Sequence, residues 1–241
     1  MTIKHQKISM GHHTLVNTHF FDSVDPMVFS AEYWRAKNAV IGQAKGRGTT
    51  LFVQNSDTDC WVLRHYRRGG MAAKLLSDQF FYEGLRRTRP FMELNLLHYM
   101  QQAGLNVPTP IAAQVCRRGL IYRADLLTVR IPHARDMHHV LTHQSLSPAV
   151  WQAVGAAVRK MHDAQVYHHD LNIRNIMLDS HETVWIIDYD RCYRRQGDSW
   201  KQQNLARLQR SLLKEQAKAG DTAFHWSGAD TEAMLRGYGK V

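Results

Sequence analysis

Apolar positions that recur every three or four residues predict two long helices in the second half of the chain. Ser147 and Pro148 are the cap and first-turn residues that commonly begin a helix. The apolar stripe of this helix consists of Trp151, Val154, Val158 and Met161. The second helix, residues 200–218, carries Leu205, Leu208 and Leu212 on one face and basic residues elsewhere. Its stripe is typical of core packing, and contact of its basic face with an anionic bilayer is the alternative.

Short apolar runs bounded by polar or glycine-containing segments predict strands. The runs 176–178 and 184–187 flank a polar cluster and predict a hairpin. Other strand-like runs are 49–53, 61–66 and 122–131, and a helix is predicted from about residue 88 to residue 103, with Gly104 as its stop. Within the first 40 residues the only predicted element is a short helix capped by Ser30.

Polar residues on both sides of the predicted hairpin have the spacing of a kinase catalytic site. His168 precedes Asp170 by two positions, Asn175 follows Asp170 by five, and Asp188 follows it by eighteen. Phosphoryl transfer needs a carboxylate to receive the acceptor proton, and hard oxygen ligands to hold Mg²⁺ against the phosphates of ATP. The spacing therefore predicts Asp170 as the base, Asn175 and Asp188 as metal ligands, and His168 as a supporting residue.

The hairpin itself favours this assignment. It would carry Asn175 at its entry and Asp188 at its exit, so that both side chains can reach one ion. The alternative is a surface hairpin flanked by unrelated polar residues. Because four residues are in register, the catalytic interpretation is the stronger one.

Candidates for binding the ATP phosphates lie in the first half of the chain. Gly46, Arg47 and Gly48 precede a strand, and a glycine-containing hairpin tip lets backbone N–H groups approach phosphate closely. A protein kinase has its phosphate-binding Lys on the next strand, where this chain has Arg64. Lys74 is the rival candidate, and Arg64 is favoured because Arg can hold phosphate oxygens bidentately. The alternative for Arg64 is a solvated cation at a strand edge.

Glu93 falls in the first half of the predicted helix 88–103. A protein kinase presents a Glu from the corresponding helix to its phosphate-binding cation. We therefore predict that Glu93 pairs with Arg64, and a solvent-facing Glu is the alternative. Adenine is expected to contact main-chain groups near residues 130–133.

Composition and charge narrow the class of partner. Hydrophobic residues make up 44% and charged residues 22% of the chain, as in ordinary folded proteins. The formal net charge of +10 predicts an anionic partner, although no nucleic-acid-binding module is present in the sequence. No apolar run approaches the ~20 residues that span a bilayer, and the N-terminus lacks the apolar core of a secretory signal. The alternative is a basic surface that serves solubility alone.

The cysteines and one pair of histidines do not indicate a further catalytic or metal site. Cys60, Cys116 and Cys192 are far apart and are expected to be reduced thiols. His139 and His143 form a His-x-x-x-His pattern, but Val140 stands where a zinc protease has its Glu, so metal binding there is not expected.

The segment after Asp188 predicts a non-protein acceptor. Only about a dozen residues separate Asp188 from the helix near residue 200, and no Ala-Pro-Glu motif follows. Protein kinases use a long segment there to dock peptides, and an Arg before the catalytic Asp to bind a phosphorylated loop. Here the preceding residue is His169, and Asp190 replaces the Gly of Asp-Phe-Gly. A small-molecule or lipid-linked acceptor is therefore expected, and no protein substrate.

Several segments resemble the bacterial 3-deoxy-D-manno-octulosonic acid (Kdo) kinases. They are HHDLNIRNIMLDSHETVWIIDYDRC, LRHYRRGGMAAKLL, the GRG loop and GLNVPTPIAA, and the similarity extends from about residue 30 to residue 215. The resemblance implies ATP-dependent phosphorylation of a Kdo hydroxyl on a lipid A precursor, at the cytoplasmic face of the inner membrane. The product would feed lipopolysaccharide core assembly. The basic composition agrees with peripheral attachment to an anionic membrane surface.

The expected fold is α+β and protein-kinase-like, with a small β-rich N-lobe at residues 1–131 and a mainly helical C-lobe at residues 132–241. Three alternatives remain open: a heptose kinase, an aminoglycoside- or choline-type phosphotransferase, and a kinase-like binding module without catalysis. Arg64 in place of Lys and Asp190 in place of Gly favour the last. Asp170, Asn175 and Asp188 count against it, because a module without chemistry has no need of all three.

Overall fold

A computed structural model describes residues 2–44, 50–68, 77–220 and 222–239. Within these ranges the chain is a mixed α/β protein with one large antiparallel sheet and six α-helices. It divides into two units, a sheet unit (Met1–His98 and Thr109–Arg130) and a helical unit (Tyr99–Pro108 and Ile131–Val241).

The described residues of the sheet unit form eight strands and one short helix, together with the first part of the longer helix Arg89–Gln102. The strands follow the spatial order β1-β2-β7-β8-β5-β4-β3, and β6 pairs with β8 beside the end of β5. The elements are β1 (Ile3–Ser9), β2 (His12–Asn17), α1 (Ala31–Ala36), β3 (Val40–Ala44), β4 (Thr50–Gln54), β5 (Cys60–His65), β6 (Phe80–Phe81), β7 (Pro110–Arg118) and β8 (Ile121–Val129). Two 3₁₀ turns, Pro26–Phe29 and Leu85–Arg87, join them.

Alternating burial along the central strands builds the core of this unit. Successive side chains of a strand point to opposite faces, and in β4 and β5 every second residue is buried. The rings of Trp61 and Trp34 of α1 meet edge to face, with 5.9 Å between their centroids. The indole N–H of Trp34 donates to the Val28 carbonyl. Ser30 caps α1 by accepting from the Tyr33 amide, as predicted. The core is therefore formed by one face of the sheet, α1, and the preceding segment that carries Val24, Val28 and Phe29.

The first two strands were not predicted. Polar side chains dominate β1, which is an edge strand paired only with β2, so it shows little apolar alternation. The buried end of β2 is paired with β7 about 100 residues later in the chain. A pairing of that range leaves no local signal in the sequence.

Helix α2 (Arg89–Gln102) lies at the division between the units, and the structure differs here from the predicted division at residue 131. Tyr99–Pro108 belongs to the helical unit because its polar groups bond there. The Tyr99 hydroxyl donates to the Ala164 carbonyl, Lys160 donates to the Gly104 carbonyl, and the Asn106 amide donates to the Val184 carbonyl at 3.2 Å. A single boundary residue cannot describe this division, because Tyr99–Pro108 precedes part of the sheet unit in sequence but contacts residues of the helical unit.

The helical unit carries four helices and five short strands. They are β9 (Arg135–Asp136), α3 (Met137–Leu141), α4 (Pro148–Asp163), β10 (Val166–Tyr167), β11 (Ile176–Leu178), β12 (Val184–Ile186), β13 (Tyr193–Arg194), α5 (Lys201–Ala219) and α6 (Gly228–Tyr238), together with the 3₁₀ turn Ile173–Asn175. Helix α4 begins at the predicted cap, with the Ser147 hydroxyl accepting from the Val150 amide, and its predicted apolar stripe is buried. Among the described residues no helix has both the length and the apolar character needed to cross a membrane.

Glycines set the crossing of α4 and α6. A Cβ placed on Gly155 would lie 1.9 Å from the Met234 carbonyl oxygen, and one on Gly237 would lie 2.0 Å from the Gln152 carbonyl oxygen. Any side chain at either position would therefore push the two backbones apart. This contact fixes α4, which leads into the segment that carries His168 and Asp170.

Candidate active site

His168 links the loop that carries Asp170 to the strand that leads to Asp188. Its Nε2 lies 3.0 Å from the Ile187 carbonyl oxygen, and its Nδ1 accepts from the Asp170 amide at 3.2 Å. The ring is fully buried, and this burial lowers the pKa of His168, so the imidazole is neutral with its proton on Nε2. His168 therefore joins the two segments through its ring, and its supporting role in the site stays a prediction.

The predicted hairpin is confirmed as β11 and β12. Ile176 pairs with Ile186, and the Ile187 amide donates to the Asn175 carbonyl one step further on. Asn175 thus enters the hairpin where Asp188 leaves it. The Asn175 side-chain amide donates to the Asp170 carbonyl at 2.9 Å, and Asp188 adopts a left-handed backbone with φ of 62°. Three residues separated by up to eighteen positions are thereby brought to one end of the hairpin.

These side chains fit a magnesium ion. The Asn175 nitrogen is the donor in its bond to Asp170, so the amide oxygen remains for a ligand, and Asp188 is exposed at the adjoining position. Amide and carboxylate oxygens are the ligands Mg²⁺ prefers, usually with water completing an octahedron. No group of three or more His, Cys, Asp or Glu residues capable of holding a metal occurs in the described ranges.

Helix α5 holds the catalytic loop through one row of polar side chains. The Asn204 amide donates to the His168 carbonyl at 2.8 Å, and the Ser211 hydroxyl accepts from the Ile173 amide at 3.0 Å. Arg207 lies between them in the helix and donates to the Asp170 carboxylate at 2.8 Å. Residues 204, 207 and 211 share a face because they are separated by three and four positions. The apolar stripe of α5 is buried, as its predicted core role requires.

The contact with Arg207 changes the electrostatics of Asp170. Partial burial would raise the pKa of the Asp170 carboxyl, but the hydrogen bond and positive charge of Arg207 outweigh this and lower the pKa below its ordinary value. Asp170 and Arg207 are both about half exposed, at 48% and 45%. The carboxylate is therefore held ionised by a partner that solvent can reach.

A second ion cluster fastens the end of the same loop. Glu215 of α5 accepts from Arg174 at 2.8 Å and from Lys218 at 2.7 Å, and His138 lies 3.2 Å away. Burial alone would raise the pKa of Glu215, but the bonds to Lys218 and Arg174 lower it to about 2. Helix α5 thus contacts the loop from residue 168 to residue 174.

In the sheet unit, Arg64 of β5 forms an ion pair with Glu93 of α2, as predicted. The Tyr66 hydroxyl donates to the same Glu93 carboxylate at 2.5 Å and accepts from Arg64 at 3.0 Å. The Glu93 side chain is only 4% exposed, so its carboxylate is shielded from water, whereas the Arg64 side chain is 23% exposed. The role of Arg64 and Glu93 in binding ATP phosphates remains a prediction.

The other predicted phosphate-binding residues and the His-x-x-x-His pattern are described by the structure only in part. Strands β3 and β4 pair on both sides of the segment that contains Gly46, Arg47 and Gly48, but those three residues lie outside the described ranges. Lys74, the rival of Arg64, also lies outside them. The ring centroids of His139 and His143 lie 4.4 Å apart with the rings tilted by 38°, and His143 also bonds to the His139 carbonyl. Both are contacts within one short helix and the turn after it.

Sequence reasoning did not assign Asn204, Arg207, Ser211 and Tyr66 to the site. A signal exists for the first three, since Asn204, Arg207 and Ser211 recur beside the leucine stripe at helical spacing. That spacing predicts a shared face but not what the face contacts. The tyrosine has no such signal, because its hydroxyl reaches Glu93 only after β5 and α2 have packed.

Comparison with known proteins gives one consistent result. The sequence model of the Lipopolysaccharide kinase (Kdo/WaaP) family matches residues 31–238. The chain is 46% identical over 222 residues to a 3-deoxy-D-manno-octulosonic acid kinase of Vibrio vulnificus, covering 92% of both chains. It is 50% identical to the protein of that name from Vibrio cholerae, covering 81% of this chain and 82% of the relative. For the Haemophilus influenzae protein of the same name, identity is 45%, with 78% and 80% covered.

Proposed function

Because the chain belongs to the lipopolysaccharide kinase (Kdo/WaaP) family and is a kinase, we propose that it transfers the γ-phosphate of ATP to a Kdo hydroxyl in lipopolysaccharide core biosynthesis. The acceptor in this proposal is Kdo linked to a lipid A precursor. The sheet unit corresponds to the β-rich lobe of a protein-kinase-like fold, and the helical unit to its helical lobe. The observation that carries the proposal is the convergence of Asp170, Asn175 and Asp188 at one end of the β11–β12 hairpin.

Asp170 acts as the base in this proposal. Its ionised carboxylate receives the proton of the Kdo hydroxyl as the oxygen bonds to the γ-phosphorus and ADP leaves. The Arg207 contact lowers the pKa of the carboxyl and so keeps it ready to accept that proton. The pair is half exposed, so Arg207 can release the carboxylate to an incoming hydroxyl without leaving a charge buried.

Asn175 and Asp188 hold the nucleotide-associated metal, and Arg64 holds phosphate oxygens. Bound Mg²⁺ would supply neutralisation of the charge on the transferring phosphoryl group. The buried Glu93 and the Tyr66 hydroxyl fix the guanidinium of Arg64 in one orientation, which suits a bidentate contact with phosphate.

A lipid-linked acceptor requires the enzyme to work at a membrane surface. A lipid-linked sugar stays in the bilayer, so we propose that the protein attaches peripherally to the cytoplasmic face of the inner membrane. The net charge of +10 supports electrostatic attraction to anionic lipid. That attraction weakens as salt shortens the Debye length from ~10 Å at 0.1 M to ~3 Å at 1 M.

One assay tests the activity and the acceptor together. Purified protein is incubated with Mg-ATP and a Kdo-bearing lipid A precursor, and the product is expected to gain the mass of one phosphate. Parallel reactions contain a heptose-bearing acceptor, an aminoglycoside or choline. Phosphorylation of one of these in place of the Kdo acceptor would replace the proposed substrate. No phosphoryl transfer to any acceptor would leave the kinase-like binding module as the function.

A variant tests the metal assignment. Asp188→Ala is expected to abolish Mg²⁺-dependent ATP binding, measured by calorimetry with and without the metal. Unchanged metal dependence would assign the ligand role to Asp190 or to another residue.

A further inference from the structure

The sheet unit has an apolar surface at the end where β6, β8 and β7 lie side by side. Phe81 of β6 pairs with Ile121 of β8, which in turn pairs with Arg118 of β7. The Tyr82 amide donates to the Leu120 carbonyl, so the β7–β8 turn lies beside β6. Phe81 is 67% exposed and Leu120 is 76% exposed, which are high values for large apolar side chains. We call this surface, formed by Phe81, Leu120 and Ile121, the strand-end patch.

Arginines are abundant in the chain segments that flank the strand-end patch. The flanking residues 66–68, 77–89 and 117–123 contain eight arginines and only two carboxylates, Asp78 and Glu83. Both carboxylates already have arginine partners, Asp78 bonding to Arg123 and Glu83 lying near Arg87. The six arginines in excess give this part of the sheet unit more than half of the formal charge of +10.

Aromatic rings orient several of these arginines. The guanidinium of Arg68 lies 5.9 Å from the Phe81 ring centroid, and that of Arg117 lies 4.2 Å from the Tyr82 centroid. The Nε of Arg68 donates to the Gln79 carbonyl and that of Arg117 to the Gly119 carbonyl, which holds both guanidinium groups in place beside the rings. Exposed aromatic and leucine side chains flanked by arginines are the composition of a surface that inserts into the headgroup region of an anionic bilayer.

The basic face of α5 is less suited to that contact. Three of its cations already have partners within the chain. Lys201 bonds to Asp198, Arg207 to Asp170 and Lys218 to Glu215. The apolar stripe of this helix is buried. The structure therefore offers less free charge on α5 than its sequence indicates.

We infer that the strand-end patch is the membrane-docking surface, and that its partner is an anionic lipid bilayer. This inference rests on the proposed membrane-linked acceptor. A second copy of the chain is a poor partner, because a symmetric contact would place arginines against arginines. An anionic bilayer satisfies both features of the patch, since its phosphates face the arginines while its acyl boundary receives Phe81 and Leu120.

Vesicle sedimentation with matched variants tests the inference. The apolar variant is Phe81→Ser with Leu120→Ser, and the charge variant is Arg117→Gln with Arg118→Gln. The control changes α5 by Arg210→Gln, Leu213→Ser and Lys214→Gln, where Leu213 is 55% exposed. All of these positions are exposed, so thermal unfolding is expected to match the unchanged protein in each case.

The probe is vesicles of phosphatidylglycerol and phosphatidylcholine in equal parts, compared with phosphatidylcholine alone. The unchanged protein and the α5 control are expected to bind the anionic vesicles at low salt. Both strand-end variants are expected to bind them at least about tenfold more weakly. The charge variant should also show a smaller salt dependence than the unchanged protein, because two of the six arginines in excess are removed.

Equal loss in the α5 control and the strand-end variants, or unchanged binding by the apolar variant, would overturn the inference. So would equally strong binding of the unchanged protein to phosphatidylcholine alone. Failure of the docking inference can be told apart from failure of the proposed function by a second assay, which measures phosphorylation of a water-soluble Kdo acceptor. The strand-end variants should retain that activity. If the unchanged protein lacks it, the proposed function fails whatever the vesicle result.

Discussion

The two units each contain an arginine paired with a carboxylate of the candidate site, but the two pairs differ in burial. In the sheet unit, Glu93 is 4% exposed and bonds to both Arg64 and Tyr66. In the helical unit, Asp170 and Arg207 are 48% and 45% exposed and share one bond. Removing one partner of a buried pair leaves the other charge unpaired in the protein interior, which solvates it poorly. At the surface, water replaces a lost partner. The first pair is therefore suited to holding an orientation, and the second to being exchanged during a reaction.

The largest expected effect is on activity at the exchangeable pair. Asp170→Asn keeps the shape of the side chain but removes its capacity to accept a proton. We expect turnover to fall roughly 10²–10⁴-fold, the usual contribution of a positioned general base, with little change in thermal stability. Steady-state kinetics and a melting curve on the same sample measure both. Near-unchanged turnover would remove Asp170 from the chemistry.

The next effect is on stability at the buried pair. Glu93→Ala leaves the guanidinium of Arg64 partly buried without its carboxylate, and breaking a buried pair costs about 3–5 kcal/mol. Denaturant unfolding should report this loss together with weaker ATP binding. Arg64→Lys keeps the charge and is the matched control, so its stability loss should be smaller. A loss below about 1 kcal/mol for Glu93→Ala would place this pair in the same class as the exposed one.

Two histidines, one in each unit, should also respond oppositely to acid. In the sheet unit, the hydrogen bond from Asp125 raises the pKa of His65 above 6.5, against the effect of burial. This contribution to stability is present below pH 6.5 and is lost as pH rises through the raised pKa. In the helical unit, burial lowers the pKa of His162 from 6.5 to about 4. That stability is present above pH 6.5 and falls as pH drops toward 4, because only the unfolded chain then takes up the proton.

Amide hydrogen exchange can follow the two units separately. On moving from neutral pH to about pH 5, opening free energies in α4 and α6 should fall while those in β5 and β8 hold or rise. The variant His162→Gln should remove the acid sensitivity of α4. A parallel decline in both units would show that these histidines do not dominate the response.

The smallest expected effect is at Arg207. Arg207→Ala removes an exposed pair, so unfolding free energy should change by at most about 1 kcal/mol. Without the guanidinium, the pKa of Asp170 rises, and the acid limb of the kcat/KM profile should shift to higher pH because the base must be ionised. Arg207→Lys should keep most of the shift in pKa, and Arg210→Ala should leave the profile unchanged. An acid limb that stays in place in Arg207→Ala would mean that the bond in the structure does not tune the base.

Local patterns in the sequence identified most elements around the site. The cap at Ser147, the stripe of α4 and the β11–β12 hairpin were predicted because each depends on residues within a few positions of one another. The ordering of His168, Asp170, Asn175 and Asp188 was also readable, since the chemistry requires those residue types in a short stretch. The pairing of Arg64 with Glu93 followed from the same ordering across 29 positions.

By itself, then, the sequence determined which residues are candidates for the site and which short elements present them, because both depend on local spacing. Only the tertiary structure decided that Arg207 faces Asp170 across 37 positions and that Tyr99–Pro108 belongs with the helical unit. It also decided that most cations of α5 pair with carboxylates of the same chain. It also brought Phe81 beside the turn at Leu120, far apart in the chain. Such contacts depend on packing between distant segments, where one helical or strand face can meet many partners, and the pattern of a single segment does not say which.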